Sequence, residues 1–305
     1  MRKMIGIYIG ILALFGLILS GCGNGSSSKA ELVEGKVNVI TSFYPLYDFT
    51  RNIGGDYVHV INLVPAGVEP HDWSPKGRDL KNMTNAQVFV YQGAGFEGWV
   101  QDFLGSIPAD SKLGVVEASK GADLIKTSEN KDQFDPHAWL SPLNAVKMAN
   151  NIKDALIQAD PAHKAVFEQN YNIYAAKLAE LDKRYKDELA RTSKKEIAVS
   201  HQAFAYLCRD YGLTQLSIMG LSPDAEPTAQ DLKKMNQYIK DHGIQYIFFE
   251  ELVSDKLAKT LAKDAKVSTM VLNPLEGLTE QQLQAGDDYI SVMDNNLKNL
   301  VKALQ

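Results

Sequence analysis

Asp160-Pro161-Ala162-His163-Lys164-Ala165-Val166-Phe167 opens a run that continues to Arg191 without a glycine or a further proline. Asp160 suits an N-cap and Pro161 the first helical position, where a missing N–H costs nothing. Phe167, Tyr171, Tyr174, Leu178, Leu181, Tyr185 and Leu189 then recur every three or four residues among Lys, Glu and Asp. That spacing predicts one amphipathic helix, on the order of 45 Å long at 1.5 Å per residue. A helix of that length can run beside two sheets and join them. A coiled-coil partner would also account for the stripe, but no second heptad segment accompanies it.

Working outward from the helix, both flanks read alike. On the N-terminal side, Val37–Ser42, Val58–Val64, Gln87–Tyr91 and Leu113–Val116 are short apolar or β-branched runs, with helical patterns such as Leu46–Ile53 and Phe96–Leu104 between them. On the C-terminal side, Glu196–Val199, Gln215–Met219, Gln245–Glu250 and Thr269–Leu272 read as strands. The helices expected there lie near Gln202–Asp210, Ala229–Asp241, Ser254–Asp264 and Asp287–Leu304. Alternation of this kind implies βαβ units and parallel sheets. The fold class expected is α/β: two similar four-stranded βα domains, residues 36–159 and 193–305, joined by one long rigid helix over 160–192. Residues 119–134 have no apolar period and read as a loop.

Two near-copies carry the chemistry. Glu69-Pro70-His71-Asp72-Trp73 and Asp135-Pro136-His137-Ala138-Trp139 each read acid-Pro-His-x-Trp, and they hold two of the three tryptophans of the chain. Proline fixes its own φ and biases the residue before it toward extended geometry, so each imidazole is presented from a stiff loop. One such loop would read as a structural turn packed on a Trp; two, with a third histidine downstream, read as metal ligands. His201 follows the strand Glu196–Val199 and Glu276 follows the strand Thr269–Leu272. In open α/β sheets ligands bind beyond the carboxyl ends of the strands, so His71, His137, His201 and Glu276 converge if the two sheets face a shared cleft. Three imidazoles and one carboxylate suit zinc, whereas manganese would take more oxygen donors. Retention should weaken as pH falls through the histidine range. Glu69 and Asp135 could orient their neighbouring histidines or reach the metal, and Glu250, with Glu251, could support the site from a strand end. His59, His163 and His242 lack companions at ligand spacing and are read as structural. Cys208, in an apolar helical stretch, reads as a buried thiol.

The start of the chain reads as an address. Arg2 and Lys3 precede an apolar run over Met4–Leu19, and Leu19-Ser20-Gly21-Cys22 has the form of a bacterial lipobox. The run is short for a spanning helix. The expectation is a lipoprotein signal peptide over 1–21, lipidation of Cys22, and a flexible tether over 22–35 rich in Gly and Ser. A plain secretory signal or an uncleaved anchor is the alternative. With Cys22 modified, Cys208 has no disulfide partner. The protein is then extracytoplasmic and lipid-anchored to the cell membrane. The formal charge of −5 offers no basic surface for nucleic acid, and losing Arg2 and Lys3 makes the remainder more negative.

At these residues the sequence resembles the metal-binding lipoproteins of bacterial ABC importers for zinc and manganese (cluster A-I), in particular the zinc-specific ZnuA/AdcA type. The resemblance covers everything after Lys36. Besides the two histidine motifs it includes Thr41-Ser42-Phe43-Tyr44-Pro45-Leu46-Tyr47, Ser200-His201-Gln202-Ala203-Phe204, Gly220-Leu221-Ser222-Pro223-Asp224 with Glu226-Pro227, and Leu272-Asn273-Pro274-Leu275-Glu276. It implies two α/β domains joined by a rigid helix with metal between them, His71, His137 and His201 as the histidine ligands, and Glu276 as the carboxylate. Manganese members typically have Glu where this chain has His201. Many zinc members carry a His-rich loop before the second ligand; residues 119–134 contain no histidine. The implied role is non-enzymatic: a monomer that captures Zn2+ and hands it to an ABC permease and its ATPase, with manganese as the alternative cargo. A zinc hydrolase is a weaker reading, since no compact His-Glu-x-x-His motif occurs and Ser200 beside His201 does not form a triad, because neighbours on a strand point to opposite faces. A siderophore or cobalamin carrier would share the two-domain plan but leave the three histidines without a task.

Overall fold

The computed structural model describes residues 32–127, 132–223 and 227–305. The expected leader, Cys22 and most of the tether lie outside them, as do Asp224 and Glu226. Leu32–Gln305 forms one compact unit.

Each half is built on a parallel sheet. The first contains β1 (Val37–Thr41), β2 (Val58–Asn62), β3 (Val88–Tyr91) and β4 (Gly114–Glu117) in the order 2-1-3-4. The elements between these strands are α1 (Tyr44–Gly54), α2 (Gly77–Asn85) and α3 (Val100–Ser106). Past β4 come α4 (Pro142–Ala159) and α5 (Lys164–Leu189). The second sheet contains β5 (Glu196–Val199), β6 (Thr214–Ser217), β7 (Tyr246–Phe249) and β8 (Ser268–Val271) in the equivalent order 6-5-7-8. Its helices are α6 (Ala205–Tyr211), α7 (Ala229–Asp241), α8 (Lys256–Ala265), α9 (Glu280–Ala285) and α10 (Tyr289–Leu304). Central strands are mostly apolar because helices cover both faces. In β1 all five residues are buried, including Asn38 and Thr41, and it pairs Val37 with Val58 on one side and Val39 with Val88 on the other.

Helix starts follow the side chains that satisfy their free N–H groups. Thr228 with Asp231 opens α7, Thr279 with Gln282 opens α9, and Asp288 with Ser291 opens α10, each as a reciprocal pair. Asp160 departs from expectation. Its carboxylate pairs with His163 Nδ1 at 2.6 Å rather than capping an N–H, and Pro161–His163 forms a 3-10 turn before α5 begins. His163 also stacks on Tyr57 at 3.9 Å, and His242 on Tyr238 at 4.0 Å, in keeping with their structural reading.

The apolar stripe of α5 is buried at Phe167, Tyr174, Leu178, Leu181, Tyr185 and Leu189. Its main neighbours are helices rather than sheets: α1 and α4 from the first half, α10 and α6 from the second. Polar contacts follow the same division. Tyr174 donates its hydroxyl to Asp48 on α1 at 2.9 Å, while Tyr185 donates to the Met293 carbonyl on α10 at 2.7 Å. One apolar core therefore runs through both halves, from Val39 and Phe49 by way of α5 to Val199 and Leu300. A smaller core, around Met235, Ile247 and Leu261, sits under α7 and α8.

Candidate metal centre

His71 and His137 reach the centre from loops after β2 and β4, and each is fixed by its own motif. The backbone N–H of His71 donates to Glu69 Oε1 at 3.0 Å, and that of His137 to Asp135 Oδ1 at 3.0 Å. Proline between acid and histidine makes this two-residue reach-back a rigid turn. In the second motif the ring joins in: His137 Nδ1 lies 2.8 Å from the same Asp135 oxygen. The second half braces this turn, since Tyr206 on α6 donates to the Asp135 carbonyl. Gln92, at the end of β3, donates to the Pro136 carbonyl at 2.9 Å.

His201 stands two residues past β5. Its Nδ1 lies 2.6 Å from Glu250 Oε1, and the Ser200 hydroxyl donates to the same oxygen. Ser200 and His201 lie beyond the end of the strand, so the rule that strand neighbours face opposite ways does not apply to them. Ser200 is engaged with a carboxylate and presents no nucleophile to His201. Glu276 comes from the loop after β8, and Glu251, beside Glu250, turns away to accept from Asn273 at 2.6 Å and Gln282 at 2.8 Å.

The four side chains meet at one oxygen. Glu276 Oε1 is 3.2 Å from His71 Nε2, 3.3 Å from His137 Nε2 and 3.4 Å from His201 Nε2, and the last two nitrogens are 3.3 Å apart. All four donor atoms lie within 4.8 Å of one another. A tetrahedral zinc with bonds of about 2.0–2.1 Å has donor-to-donor edges of about 3.3–3.4 Å, so four of these separations already match a zinc polyhedron. With Nδ1 of His137 and His201 facing carboxylates, their Nε2 atoms are the ones left for a metal. Side-chain exposure is 10% for His71 and at most 1% for the other three. A cavity of about 390 Å3 opens beside His71, lined by Phe96, Phe134 and Leu221 among others.

The electrostatics are those of a site made for a cation. Buried oxygens without a partner occur at Glu69 Oε2, Asp135 Oδ2, Glu250 Oε2 and Glu276 Oε2, all around the same centre. Burying such groups uncompensated is costly. Burial alone would depress His201, but the charges of Glu276 and Glu250 override it and push its pKa up to about 10; His137 is raised for the same kind of reason by Asp135 and Glu276. Burial alone would raise Glu276, yet the facing histidines hold it well below the usual carboxylate range. Glu69 is pushed up to about 9 by burial and then by the negative charge of Glu276.

Of the residues singled out in the sequence as metal or supporting candidates, His71, His137, His201, Glu276, Glu69, Asp135 and Glu250 fall in this cluster or against it, whereas Glu251 is spent on Asn273 and Gln282. Two residues were not foreseen. Phe96 packs its ring 5.0 Å from His71 at the mouth, and the Trp139 indole reaches the carbonyl of Pro274, two residues before Glu276. The second contact spans 135 residues, and no local pattern signals it.

Comparison with known proteins agrees with this geometry. The family described as zinc-uptake complex component A, periplasmic (ZnuA), matches over residues 39–303. The high-affinity zinc uptake system protein ZnuA of Bacillus subtilis (strain 168) is 40% identical, with 99% of this chain and 98% of that protein covered. The zinc-binding lipoprotein AdcA of Streptococcus pneumoniae (strain ATCC BAA-255 / R6) is also 40% identical over 95% of this chain, which spans only 59% of that longer protein. The crystal structure of the Zn(II)-bound ZnuA-like domain of S. pneumoniae AdcA superposes with a TM-score of 0.79 at 43% identity, covering 88% of this chain and 99% of that one. A family match across nearly the whole described chain, a full-length relative at 40% identity and the shared two-sheet architecture lead to one conclusion: the chain belongs to the ZnuA family.

Proposed function

We propose that this protein binds Zn2+ on the outer side of the cytoplasmic membrane and delivers it to the permease and ATPase of an ABC zinc importer. His71, His137 and His201 supply Nε2 and Glu276 supplies a carboxylate oxygen. The observation that carries the reading is the convergence of four donor atoms within 4.8 Å, with four of their six separations at 3.2–3.4 Å, close to the edge of a zinc tetrahedron. Asp135 and Glu250 hold the Nδ1 sides of His137 and His201, fixing each ring with its other nitrogen toward the ion. Glu69 holds the His71 backbone and keeps a second buried oxygen near the centre.

The donor set favours zinc over manganese, because three of four donors are imidazole nitrogens. It favours carriage over hydrolysis, because four protein donors complete a tetrahedral set and leave no open position for a reactive water. The names of the ZnuA and AdcA relatives point the same way. Cys22 serves in this reading as the lipid anchor, followed by a tether that lets residues 36–305 stand off the membrane.

Competition of the metal-stripped protein against a chelating indicator tests the proposal. One tight zinc site that manganese cannot displace, lost in His201→Ala, is the expected result. Preference for manganese, or no tight site for either ion, would overturn it.

A further inference from the structure

Glu276 reaches the cluster from a loop whose backbone is held by both halves of the molecule. The residue before it, Leu275, is fully buried and has φ +58°. A residue with a Cβ is kept in the left-handed region by its surroundings, not by its own preference. That conformation belongs to the peptide between Pro274 and Leu275, since rotating this unit changes ψ of the first and φ of the second together. Both polar atoms of the peptide are committed. The Pro274 carbonyl accepts from Trp139 Nε1 at 2.7 Å, and the Leu275 N–H donates to Asn273 Oδ1 at 2.7 Å.

The partners are themselves anchored. Asn273 exchanges two hydrogen bonds with the Asn296 side chain on α10, at 2.8 and 2.7 Å. Trp139 is fully buried and lies two residues beyond His137, in the 3-10 turn Ala138–Leu140. Its ring packs 5.3 Å from His137 and 4.7 Å from Phe43, and its carbonyl accepts from the Tyr289 hydroxyl at 2.6 Å. One short segment of the first half therefore presents His137 and also grips the loop of the second half that brings Glu276.

We propose that Trp139 is a positioning residue for the Glu276 carboxylate. Its indole N–H, acting with Asn273, locks the Pro274–Leu275 peptide in the orientation that aims Glu276 at the three imidazoles. Without the lock the peptide rotates, φ of Leu275 returns to the negative range that a leucine prefers, and the carboxylate withdraws. Retention of zinc is then set partly by a hydrogen bond that touches neither the ion nor its donors. This inference rests on Glu276 being a zinc ligand.

The test is the rate of zinc loss into excess chelator from the full chain carrying Trp139→Phe, Asn273→Ala or Glu276→Ala, and from the doubles that combine each of the first two with Glu276→Ala. Trp139→Phe keeps a ring and deletes the N–H; it should speed zinc loss by about fivefold, the worth of one hydrogen bond. Asn273→Ala acts on the other end of the same peptide and should do likewise, so the test survives if either variant fails to fold. Neither should add anything in the Glu276→Ala background. Equal acceleration with and without Glu276 would overturn the proposal, because the effect would then pass through His137 or the fold at large. So would unchanged rates in both single variants beside a faster Glu276→Ala, an outcome that leaves Glu276 a ligand and removes only the lock. If Glu276→Ala itself leaves zinc loss unchanged, the ligand assignment fails and the lock falls with it.

Discussion

At the scale of the residue, the histidines differ in how they are held. His137 is fixed by an acid two positions away, whereas His201 depends on Glu250, 49 positions away. Removing Glu250 frees the His201 ring to rotate and strips the Nδ1–H of its acceptor. Glu250→Ala should therefore weaken zinc binding by about 10- to 100-fold, as loss of an outer carboxylate on a ligating histidine does, measured by indicator competition. Ser200→Ala should cost much less, since the hydroxyl only supports that carboxylate. An unchanged affinity for Glu250→Ala would show that packing alone orients His201. The same contrast explains what could be read in advance. Acid-Pro-His is a local device and shows in the sequence, as does the position of His201 just past a strand. That Glu250 rather than Glu251 supports His201 depends on which strand-end side chain faces inward, and the Trp139 bond to Pro274 is tertiary.

Among the elements, α5 carries the connection between the halves, and its stripe makes the energetics specific. Leu178 is fully buried on the inner face and Ile173 is 52% exposed on the outer one. Leu178→Ala should destabilise by about 2–5 kcal/mol through lost burial and the cavity left behind. Ile173→Ala should stay within about 0.5 kcal/mol, both read from denaturant midpoints. The stripe of α5 announced itself because Phe, Tyr and Leu are large. Helix α4 did not, because its buried face is Ala145, Met148, Ala149, Ile152 and Leu156, a weak apolar signal following Pro142. Helix α2 buries only Met83, so no stripe existed to be read.

The contact of α1 with α5 also titrates. Asp48 is buried and its pKa is pushed up to about 7 by burial and by Asp288, against the Tyr174 hydroxyl, Arg51 and the Tyr289 N–H, which favour its charged form. Between about pH 4 and 7 the folded state holds a proton that the unfolded chain has lost, so this group makes stability fall as pH rises through that window. Asp48→Asn removes the slope. The thermal midpoint of the metal-free variant should gain on that of the unsubstituted protein between pH 4.5 and 8; parallel curves would mean that Asp48 stays charged throughout.

Over the whole molecule, the two sheets share one strand order, one continuous core and one cluster of donors. The doubled α/β plan was legible because each half repeats the same alternation of strand and helix. The continuity of the core was not, since α5 meets α1, α4, α6 and α10 rather than the sheets alone. A core that runs through both halves leaves little freedom for one to swing on the other. Solution scattering of metal-free and zinc-loaded protein should superpose, and a marked compaction on loading would contradict this. Zinc should nevertheless raise stability by mass action, by about 4 kcal/mol when free zinc stands 1,000-fold above the dissociation constant, seen as a higher melting temperature that a chelator reverses.

Three of the four donors are all but closed to solvent, and that sets a clock. A hydrated ion bound there as proposed would give up its water in stages as His137, His201 and Glu276 took hold, and on leaving it would have to recover that water while still enclosed. Enclosure of this kind should slow departure into bulk solvent, so that a loaded molecule would outlast many chance collisions. In the proposed role each loaded molecule would move one enclosed ion at a time, and the timing of release would rest with whatever opens the site.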